Sequence, residues 1–249
     1  MGKRLDKRLN HSMGKAVHDW KMIDAGDRIL LGVSGGKDSL SLLHLLLSLK
    51  KKAPISFDII PVHIDPGFDG SFASALKTYC QDVSQSLCQA LHIESTDYGI
   101  LAHDTQNTGN PCFLCSRLRR KRLFELAKAY GCKKVALGHH KDDLIETLFI
   151  NMFYAGKIGT MKPRQSFFDG ALDIIRPLSY VESDDIAQLS QALEMPVFEN
   201  PCPSAGHTQR ETVRQMLRGM YRQNEHIKGN IFRAMANVSR EYLLETQHD

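Results

Sequence analysis

Apolar, β-branched runs alternate along this chain with segments whose apolar residues recur at helical spacing. The continuous apolar runs predict strands at residues 28–33, 57–64, 92–98 and 133–138. Helical patterns lie between and after them, at residues 40–50, 71–91, 118–130 and 143–154. Strands that are hydrophobic throughout and alternate with helices are typical of a parallel sheet covered on both faces. We therefore predict an α/β fold with a doubly wound parallel sheet.

The remainder of the chain adds one more strand and then turns helical. Residues 172–176 predict a fifth strand and residues 182–193 a helix, and two terminal helices are predicted at 208–221 and 230–244. No internal repeat or low-complexity linker separates these parts. We expect a basic helical extension at residues 1–23, a nucleotide-binding domain at 24–200 and a C-terminal helical extension at 201–249.

Length and composition exclude few classes of protein. The chain has 249 residues, 42% hydrophobic side chains and a net charge of +4, which is ordinary for a protein that buries its own core. Its longest apolar run, residues 42–49, is far shorter than the roughly 20 residues that span a bilayer. The N-terminus is basic but lacks the apolar block of a secretory signal. We therefore expect a cytoplasmic protein without membrane spans, in a compartment where cysteines stay reduced.

The positive charge is concentrated in three segments, residues 1–21, 117–134 and 209–240. Such clusters suit a polyanionic partner, although a run of charge is also common on a solvated face. The last segment has a more specific pattern, because arginines recur at every fourth position of a predicted helix. This arginine stripe consists of Arg210, Arg214, Arg218 and Arg222. Like charges at this spacing repel, and phosphates along the stripe would offset that cost.

The loop after the first predicted strand, residues 34–39, combines glycines with hydroxyl and charged side chains. Ligands of open α/β sheets bind beyond the carboxyl ends of the strands, where this loop lies. Two glycines allow a tight turn and a close approach to an anion, and the N–H groups of the following helix favour negative charge. The loop is Ser34, Gly35, Gly36, Lys37, Asp38 and Ser39. It matches neither the common P-loop nor the dinucleotide fingerprint, so it predicts a different phosphate site.

This SGGKDS loop resembles the pyrophosphate loop of the N-type ATP pyrophosphatases, which cleave ATP between the α and β phosphates. The resemblance assigns all six loop residues to pyrophosphate binding and makes Asp38 a partner of Mg²⁺. A carboxylate suits a hard cation that bridges phosphate oxygens.

Three of the six cysteines stand in settings that favour metal binding. Cys112 and Cys115 form a C-x-x-C motif at the start of a basic helix, and Cys202 lies in a proline-flanked loop ahead of the arginine stripe. Three thiolates suit either an iron–sulfur cluster with one open iron or a zinc ion completed by histidine or water. We interpret the other three, Cys80, Cys88 and Cys132, as small hydrophobic residues.

The chain is similar over most of its length to the TtcA family, the tRNA-cytidine(32) 2-sulfurtransferases. The similarity rests on C-x-x-C ahead of RLRR, the segment ALGHHKDDLIETLFINMFYAGKIGTMKP from Ala136 to Pro163, IRPL from Ile175 to Leu178, and the lone cysteine before QR. The resemblance implies a [4Fe–4S] cluster on Cys112, Cys115 and Cys202, whose fourth iron holds a sulfide delivered by a cysteine desulfurase. ATP would activate C2–O of cytidine 32 as an adenylate, sulfur would displace AMP, and pyrophosphate would leave.

The same resemblance assigns further residues to the site. Those near adenosine are Val62, His63, Asp65, Gly138 and His139. Lys37, Asp38, the three cysteines and Asp142 are expected to be catalytic, with Asp142 and Asp143 suited to Mg²⁺ or to orienting the site. Alternatively, His139 and His140 form an exposed helix N-terminus in which the two aspartates are favourable first-turn charges. The expected partners are tRNA and the desulfurase, and a homodimer is expected.

Two other functions compete with tRNA thiolation. A lysidine-type enzyme would share the ATP loop but would join an amine to cytidine, which gives the three cysteines no role. A nucleotide-binding protein without turnover would use the cysteines for a structural zinc, which gives the arginine stripe and the Lys37–Asp38 pair no role.

Overall fold

The computed structural model describes residues 2–68, 72–84, 88–199, 201–204 and 209–244. Its strands are β1 (Arg28–Gly32), β2 (Asp58–Asp65), β3 (His92–Ser95), β4 (Lys134–Ala136), β5 (Arg164–Phe167) and β6 (Leu172–Ile175). Its α-helices are α1 (Lys3–Asp19), α2 (Lys37–Lys52), α3 (Ala73–Ser84), α4 (Tyr98–His103), α5 (Pro111–Ala129), α6 (Lys141–Ala155), α7 (Ser183–Ala192), α8 (Gln209–Gln223) and α9 (His226–Ala234). Short 3₁₀ turns span Pro177–Tyr180 and Arg240–Tyr242.

The strands form one six-stranded sheet in the order β3-β2-β1-β4-β6-β5. All neighbouring pairs are parallel except β5 and β6, which are antiparallel. The predicted fold class is confirmed. The hydrophobic pattern does not predict strand β5, because Arg164, Gln165 and Ser166 are polar and the strand conformation depends on pairing with β6.

Several predicted boundaries are wrong. The predicted strand at 92–98 ends at Ser95, and α4 begins at Tyr98. Helix α5 begins at Pro111 instead of residue 118, since Asn110 caps it by accepting from the N–H of Phe113. The predicted helix 71–91 is helical at Ala73–Ser84, with residues 71 and 85–87 outside the described residues. The predicted helix 230–244 is replaced by α9, which starts earlier, and a 3₁₀ turn.

The sheet is buried on both faces, and alternate residues of β1 pack on opposite sides. Ile29 and Leu31 join a core with α1, α2 and α7, whereas Leu30 joins a second core against α5. Successive strand residues point to opposite faces, so a continuous apolar run fills both layers. Helix α1, predicted as an extension, contributes to the first of these cores with the fully buried residues Leu9, Met13 and Ala16.

The chain divides into two compact units. The first comprises Met1–Leu144 and Lys162–His207 and contains the sheet, and the second comprises Ile145–Met161 and Thr208–Asp249. Within the second unit, Ile145 of α6 packs against Val213 and Leu217 of α8. In the described part of the chain, no helix is both long and apolar enough to cross a membrane.

Candidate active site

The loop after β1 is held in shape by its own serines. The N–H of Ser34 donates to Ser39 Oγ at 3.0 Å, and Ser39 Oγ donates to the carbonyl of Gly36 at 2.9 Å. Helix α2 follows directly at Lys37, and its N-cap residue, Gly36, offers no side chain to cap it. The first N–H groups of a helix have no partner within the helix and attract anions. The loop and this helix start together form a cradle suited to phosphate.

Two glycines permit the close packing around this loop. Gly35 has a left-handed φ of +83°, and a Cβ on it would lie 2.5 Å from the ring of Phe72. Gly138, after β4, packs against the backbone where α2 begins, so that a Cβ there would lie 3.0 Å from Asp38 and Ser39 main-chain atoms. Any larger residue at either position would displace the phosphate loop or its support.

A cavity of about 290 Å³ opens at the carboxyl ends of β1, β2 and β4. This first cavity is lined by Gly32, Val33, Ser34, Asp38, Ser39, Val62, Ile64, Arg119, Leu123, Leu137, Gly138, His139 and Asp143. The residues of the predicted ATP site that it brings together are Ser34, Asp38, Ser39, Val62, Gly138 and His139. Its aliphatic walls and its position beside the phosphate loop suit an adenosine group.

Asp38 and Asp143 face the same buried imidazole. Lys37 Nζ donates to Asp38 Oδ1 at 2.8 Å, and His140 Nε2 lies 3.9 Å from that oxygen. Asp143 Oδ2 accepts from the N–H of His140 at 3.0 Å and lies 3.5 Å from His140 Nε2. No three His, Cys, Asp or Glu side chains among the described residues are grouped closely enough to hold a metal ion by themselves. Mg²⁺ needs only one or two carboxylates when phosphates and water complete its shell, so this pair of aspartates fits it.

Asp142, predicted as catalytic, has a different position from Asp143. Its Oδ2 accepts from the N–H of Ser183 at 2.9 Å, at the start of α7, and its side chain does not line the first cavity. Asp142 Oδ2 also lies 3.8 Å from His140 Nδ1, so both aspartates adjoin this imidazole, but only Asp143 is among the described residues that line the first cavity. The structure brings Asp143 there, while Asp142 stabilises the N-terminus of α7.

The two histidines after β4 are not an exposed helix N-terminus. His140 is buried, and its Nδ1 has no hydrogen-bond partner among the described residues. His139 lines the first cavity, and its Nδ1 accepts from Nε of the buried Arg176 at 3.3 Å. Burial, together with the charge of Arg120, lowers the pKa of Arg176 to about 10, so its guanidinium is still protonated at neutral pH. Since His139 Nδ1 accepts this hydrogen bond, the proton of an uncharged ring lies on Nε2.

A second cavity of about 210 Å³ lies on the other side of the phosphate loop. It is lined by Ser34, Gly35, Gly36, His63, Ile64, Asp65, Pro66, Phe68, Phe72, Arg119, Phe198 and Pro201. His63 and Asp65, which the sequence predicts near adenosine together with Val62, thus line this cavity and not the first. Phe72 and Phe198 stack with ring centroids 4.7 Å apart.

His63 is held neutral in the wall of the second cavity. Its Nδ1 donates to the carbonyl of Val33 at 2.8 Å. Burial lowers the pKa of His63, and the charge of Arg119 lowers it further. Because Nδ1 carries the proton, the lone pair of the neutral ring is on Nε2.

The three predicted cluster ligands influence one another electrostatically. Burial raises the pKa of Cys115, and negative charge on Cys202 or Cys112 raises it further. Arg119, one turn later on α5, acts in the opposite direction. Cys202 Sγ lies 3.9 Å from Nε2 of His103. The fold therefore brings Cys202 near the C-x-x-C motif, about 90 residues earlier in the chain.

Three cysteine thiols are a donor set that fits an iron–sulfur cluster. Such clusters are held by thiolates, and three of them leave one iron of a four-iron cluster without a cysteine ligand. The same thiols also suit a zinc ion completed by histidine or water.

The other three cysteines lie away from the C-x-x-C motif, in the packed layers of the fold. Cys80 and Cys132 are buried and Cys88 is half-buried. Burial raises the pKa of all three thiols, that of Cys80 to about 12. Protonated thiols of this kind are inert, which agrees with their interpretation as small hydrophobic residues.

Arg119 also belongs to the site, although the sequence presents it only as one of several basic residues in the segment 117–134. It is half-buried and lines both cavities. Within the described residues it has no ion pair, whereas Arg122 donates to Glu94 and Glu125. The available signal was its spacing, since residues four apart share a helix face and Arg119 follows Cys115 by four.

The four arginines of the stripe, in the second unit, have two different environments. Arg210 and Arg214 donate to Glu146, whose side chain is only 4% exposed. Residues spaced by four drift about 40° around a helix at each step, so the stripe rotates away from the buried face of α8. Arg218 and Arg222 are exposed. Of the four arginines, these two are exposed, and the phosphate binding predicted for all four remains a prediction for them.

The sheet, the loop after β1 and the free start of α2 define the class of this protein: residues 4–220 match the PP-loop domain family. Among curated proteins, the tRNA-cytidine(32) 2-sulfurtransferase of Geotalea uraniireducens is 38% identical over 97% of this chain and 96% of its own length. That of Cupriavidus taiwanensis is 40% identical over 98% of this chain and 79% of its own. The chain belongs to the tRNA-cytidine(32) 2-sulfurtransferase family.

Solved structures support the same fold. The U34-tRNA thiolase NcsA from Methanococcus maripaludis, with its [4Fe-4S] cluster, matches with a TM-score of 0.79 and 22% identity over 98% of this chain and 81% of its own. An NH3-dependent NAD synthetase from Campylobacter jejuni matches with a TM-score of 0.51 and 12% identity over the full length of both chains. At these identities the likeness extends to the arrangement of the sheet and helices.

Proposed function

We propose that this chain is an ATP-dependent tRNA sulfurtransferase that replaces the C2 oxygen of cytidine 32 with sulfur. The products are 2-thiocytidine, AMP and pyrophosphate. The names of the relatives at 38% and 40% identity support this activity. In this chain the supporting observation is Arg119, which lines both cavities beside the phosphate loop and lies one helical turn after Cys115. The ATP side and the sulfur side of the reaction therefore meet on one helix.

The phosphate loop and the start of α2 bind the phosphates of ATP, with adenosine in the first cavity. Lys37 neutralises charge on the departing pyrophosphate, and Asp38 with Asp143 holds Mg²⁺. Adenylation is needed because an amide-like oxygen leaves poorly, whereas AMP leaves well. Arg119, at the border of both cavities, stabilises the negative charge that AMP gains as the bond from C2 to oxygen breaks.

Cys112, Cys115 and Cys202 hold the [4Fe–4S] cluster in this proposal. When bound, the cluster supplies the sulfur at an iron atom that has no cysteine ligand. The solved thiolase of similar fold carries such a cluster, and the electrostatic coupling of the three thiols in this chain fits one. The positive charge of Arg119 favours the thiolate of Cys115, the form that binds iron.

The tRNA is expected to contact the exposed arginines of α8 and the basic helix α5. A cysteine desulfurase is the proposed sulfur donor, and the protein is proposed to act as a homodimer in the cytoplasm. Copurification of the desulfurase tests the proposed sulfur donor, and the mass of the purified protein in solution tests the proposed homodimer.

The central experiment is an anaerobic assay with the reconstituted protein, ATP, Mg²⁺, a sulfide source and tRNA from a strain lacking the gene. Mass spectrometry of the nucleosides should find 2-thiocytidine, and Cys112→Ser should lose both this product and the iron–sulfur absorbance. Cys132→Ser is the matched control, since Cys132 is buried against α5 and should keep both. Unmodified cytidine with a fully loaded cluster would contradict the proposal.

The competing functions predict different results in the same assay. A lysidine-type enzyme would add the mass of an amine-containing group to cytidine and would be indifferent to Cys112→Ser. A colourless protein with one stoichiometric zinc and no release of AMP would favour the nucleotide-binding protein without turnover.

A further inference from the structure

The second cavity adjoins the phosphate loop but is distinct from the first cavity, in which adenosine is proposed to bind. It is walled by three phenylalanines and His63, whereas His139 is the only ring among the described residues that line the first cavity. Phe72 packs on Gly35 of the loop, and Phe198 stacks on Phe72 at an interplanar angle of 16°. Flat aromatic walls of this kind suit a planar ring that stacks.

The position of this cavity matches the requirements of the reaction. Arg119 borders it one turn after Cys115, and Pro201, next to Cys202 in sequence, lies in its wall. Phe68, also in the wall, contacts His103, which in turn lies beside Cys202. A ring held here has the phosphate loop on one side and the cysteine residues on the other. The reacting C2 atom must be reached from both.

We infer that the second cavity binds the target pyrimidine, a cytosine ring turned out of its RNA stack, in the wall formed by Phe68, Phe72 and Phe198. The inference rests on the proposed function. A base within a stack cannot present C2 to either reactant, so the ring must leave the stack. At about 210 Å³ the cavity is smaller than the first cavity of about 290 Å³, which is proposed for adenosine, and this smaller size suits a single base.

Asp65 supplies a reason for preferring cytosine to uracil in this cavity. Its Oδ1 accepts from the N–H of Gly67 at 3.0 Å, and a carboxylate can accept several hydrogen bonds. The exocyclic amine of cytosine donates to a carboxylate, whereas uracil presents an oxygen at the same position. Asp65 is thus a specificity-determining residue in this proposal.

A crosslinking experiment tests the location directly. An RNA stem-loop carrying 5-iodocytidine at the target position is irradiated with the full-length protein, and the crosslinked peptide is identified by mass spectrometry. The expected crosslinks are to Phe68, Phe72 or Phe198. A crosslink confined to α8, or to residues that line only the first cavity, overturns the inference.

Kinetics provide the second test. Phe198→Ala should raise KM for tRNA about tenfold or more while ATP affinity is unchanged, because one base loses its stacking surface. Phe168→Ala, an exposed phenylalanine on the β5–β6 hairpin, is the control and should change neither. If Phe198→Ala weakens ATP and leaves KM for tRNA unchanged, the cavity belongs to the ATP site and the inference is wrong.

Asp65→Asn tests the specificity. It should lower by about tenfold or more the preference for RNA with cytidine over RNA with uridine at the target position, measured as binding by fluorescence anisotropy. An unchanged preference would show that Asp65 does not recognise the base. The proposed function fails separately: absence of 2-thiocytidine with wild-type protein contradicts it, whereas 2-thiocytidine together with crosslinks elsewhere contradicts only the inference.

Discussion

Gly35 and Phe72 are in such close contact that a Cβ atom on Gly35 would lie 2.5 Å from Phe72 Cε2. The ring of Phe72, in the wall of the second cavity, therefore leaves no room for a side chain on Gly35. Any other residue at position 35 would also have to adopt the left-handed backbone conformation, which L-residues disfavour.

Gly35→Ala should accordingly weaken ATP binding by at least tenfold and lower the free energy of unfolding by about 1–3 kcal/mol. Gly26→Ala is a matched control, since Gly26 has a φ of +81° and a Cβ added to it would meet no atom within 4 Å among the described residues. It should cost about 1–2 kcal/mol and leave ATP affinity unchanged. Isothermal titration with a non-hydrolysable ATP analogue and urea unfolding measure both effects. Equal ATP affinities in the two variants would show that the contact with Phe72 has no effect on the loop.

Arg218→Gln with Arg222→Gln should weaken tRNA binding without destabilising the protein. The exposed pair would lose its phosphate contacts, so the slope of log K against log salt should fall by about 1–2. Filter binding across a salt series measures this slope. An unchanged slope would mean that Arg218 and Arg222 only face solvent.

Arg210→Gln with Arg214→Gln should, in contrast, destabilise the protein. This change leaves the buried carboxylate of Glu146 without its two arginine partners. Because each arginine is about one-third exposed, we expect a loss of about 1–3 kcal/mol in unfolding free energy, less than for a fully buried pair. Hydrogen exchange of α8 should increase, and unaltered exchange would contradict this prediction.

Arg119→Ala should slow thiolation by at least tenfold and raise the pKa of Cys115 in the protein without a cluster. The second effect follows because the positive charge of Arg119 opposes the effect of burial on that thiol. The rate of Cys115 alkylation against pH reports the thiolate. Arg117→Ala, an exposed residue of the same helix, should leave the alkylation profile unchanged. Identical profiles for Arg119→Ala and the wild type would show that Arg119 and Cys115 are not electrostatically coupled.

Stability should decline as the pH falls below about 6.5, partly because of His44. Burial lowers the pKa of His44, whose Nε2 lies 2.8 Å from the hydroxyl of Tyr79. The unfolded chain therefore binds a proton at a pH where the folded protein does not. The stabilisation is present above the unfolded pKa and is lost as the pH falls towards the folded one. His44→Gln should flatten the dependence of unfolding free energy on pH between about 7 and 5. A slope equal to that of the wild type would contradict this assignment.

The sequence was sufficient to predict the elements with a strong local signal. The apolar runs of β1 and β2 and the loop at 34–39 follow from hydrophobic periodicity and from glycines next to a helix start. The hairpin strand β5 lacks such a signal, because its mostly polar residues RQSF become a strand only by pairing with β6. The apolar spacing predicts the start of helix α5 seven residues too late, since this start depends on the Asn110 cap.

The candidate site likewise has features that the sequence predicts and features that only the tertiary structure determines. The residue types in SGGKDS and the three cysteines could be read from the chain, because phosphate binding and metal binding require those chemical groups wherever the chain places them. Tertiary structure decided which of the two adjacent aspartates faces the first cavity and which arginines of α8 remain exposed. It also placed Arg119, Phe72 and Phe198, which are far apart in sequence, around one cavity. Sequence determines the chemical groups available and their local geometry, whereas side-chain direction and long-range neighbours depend on how the helices pack on the sheet.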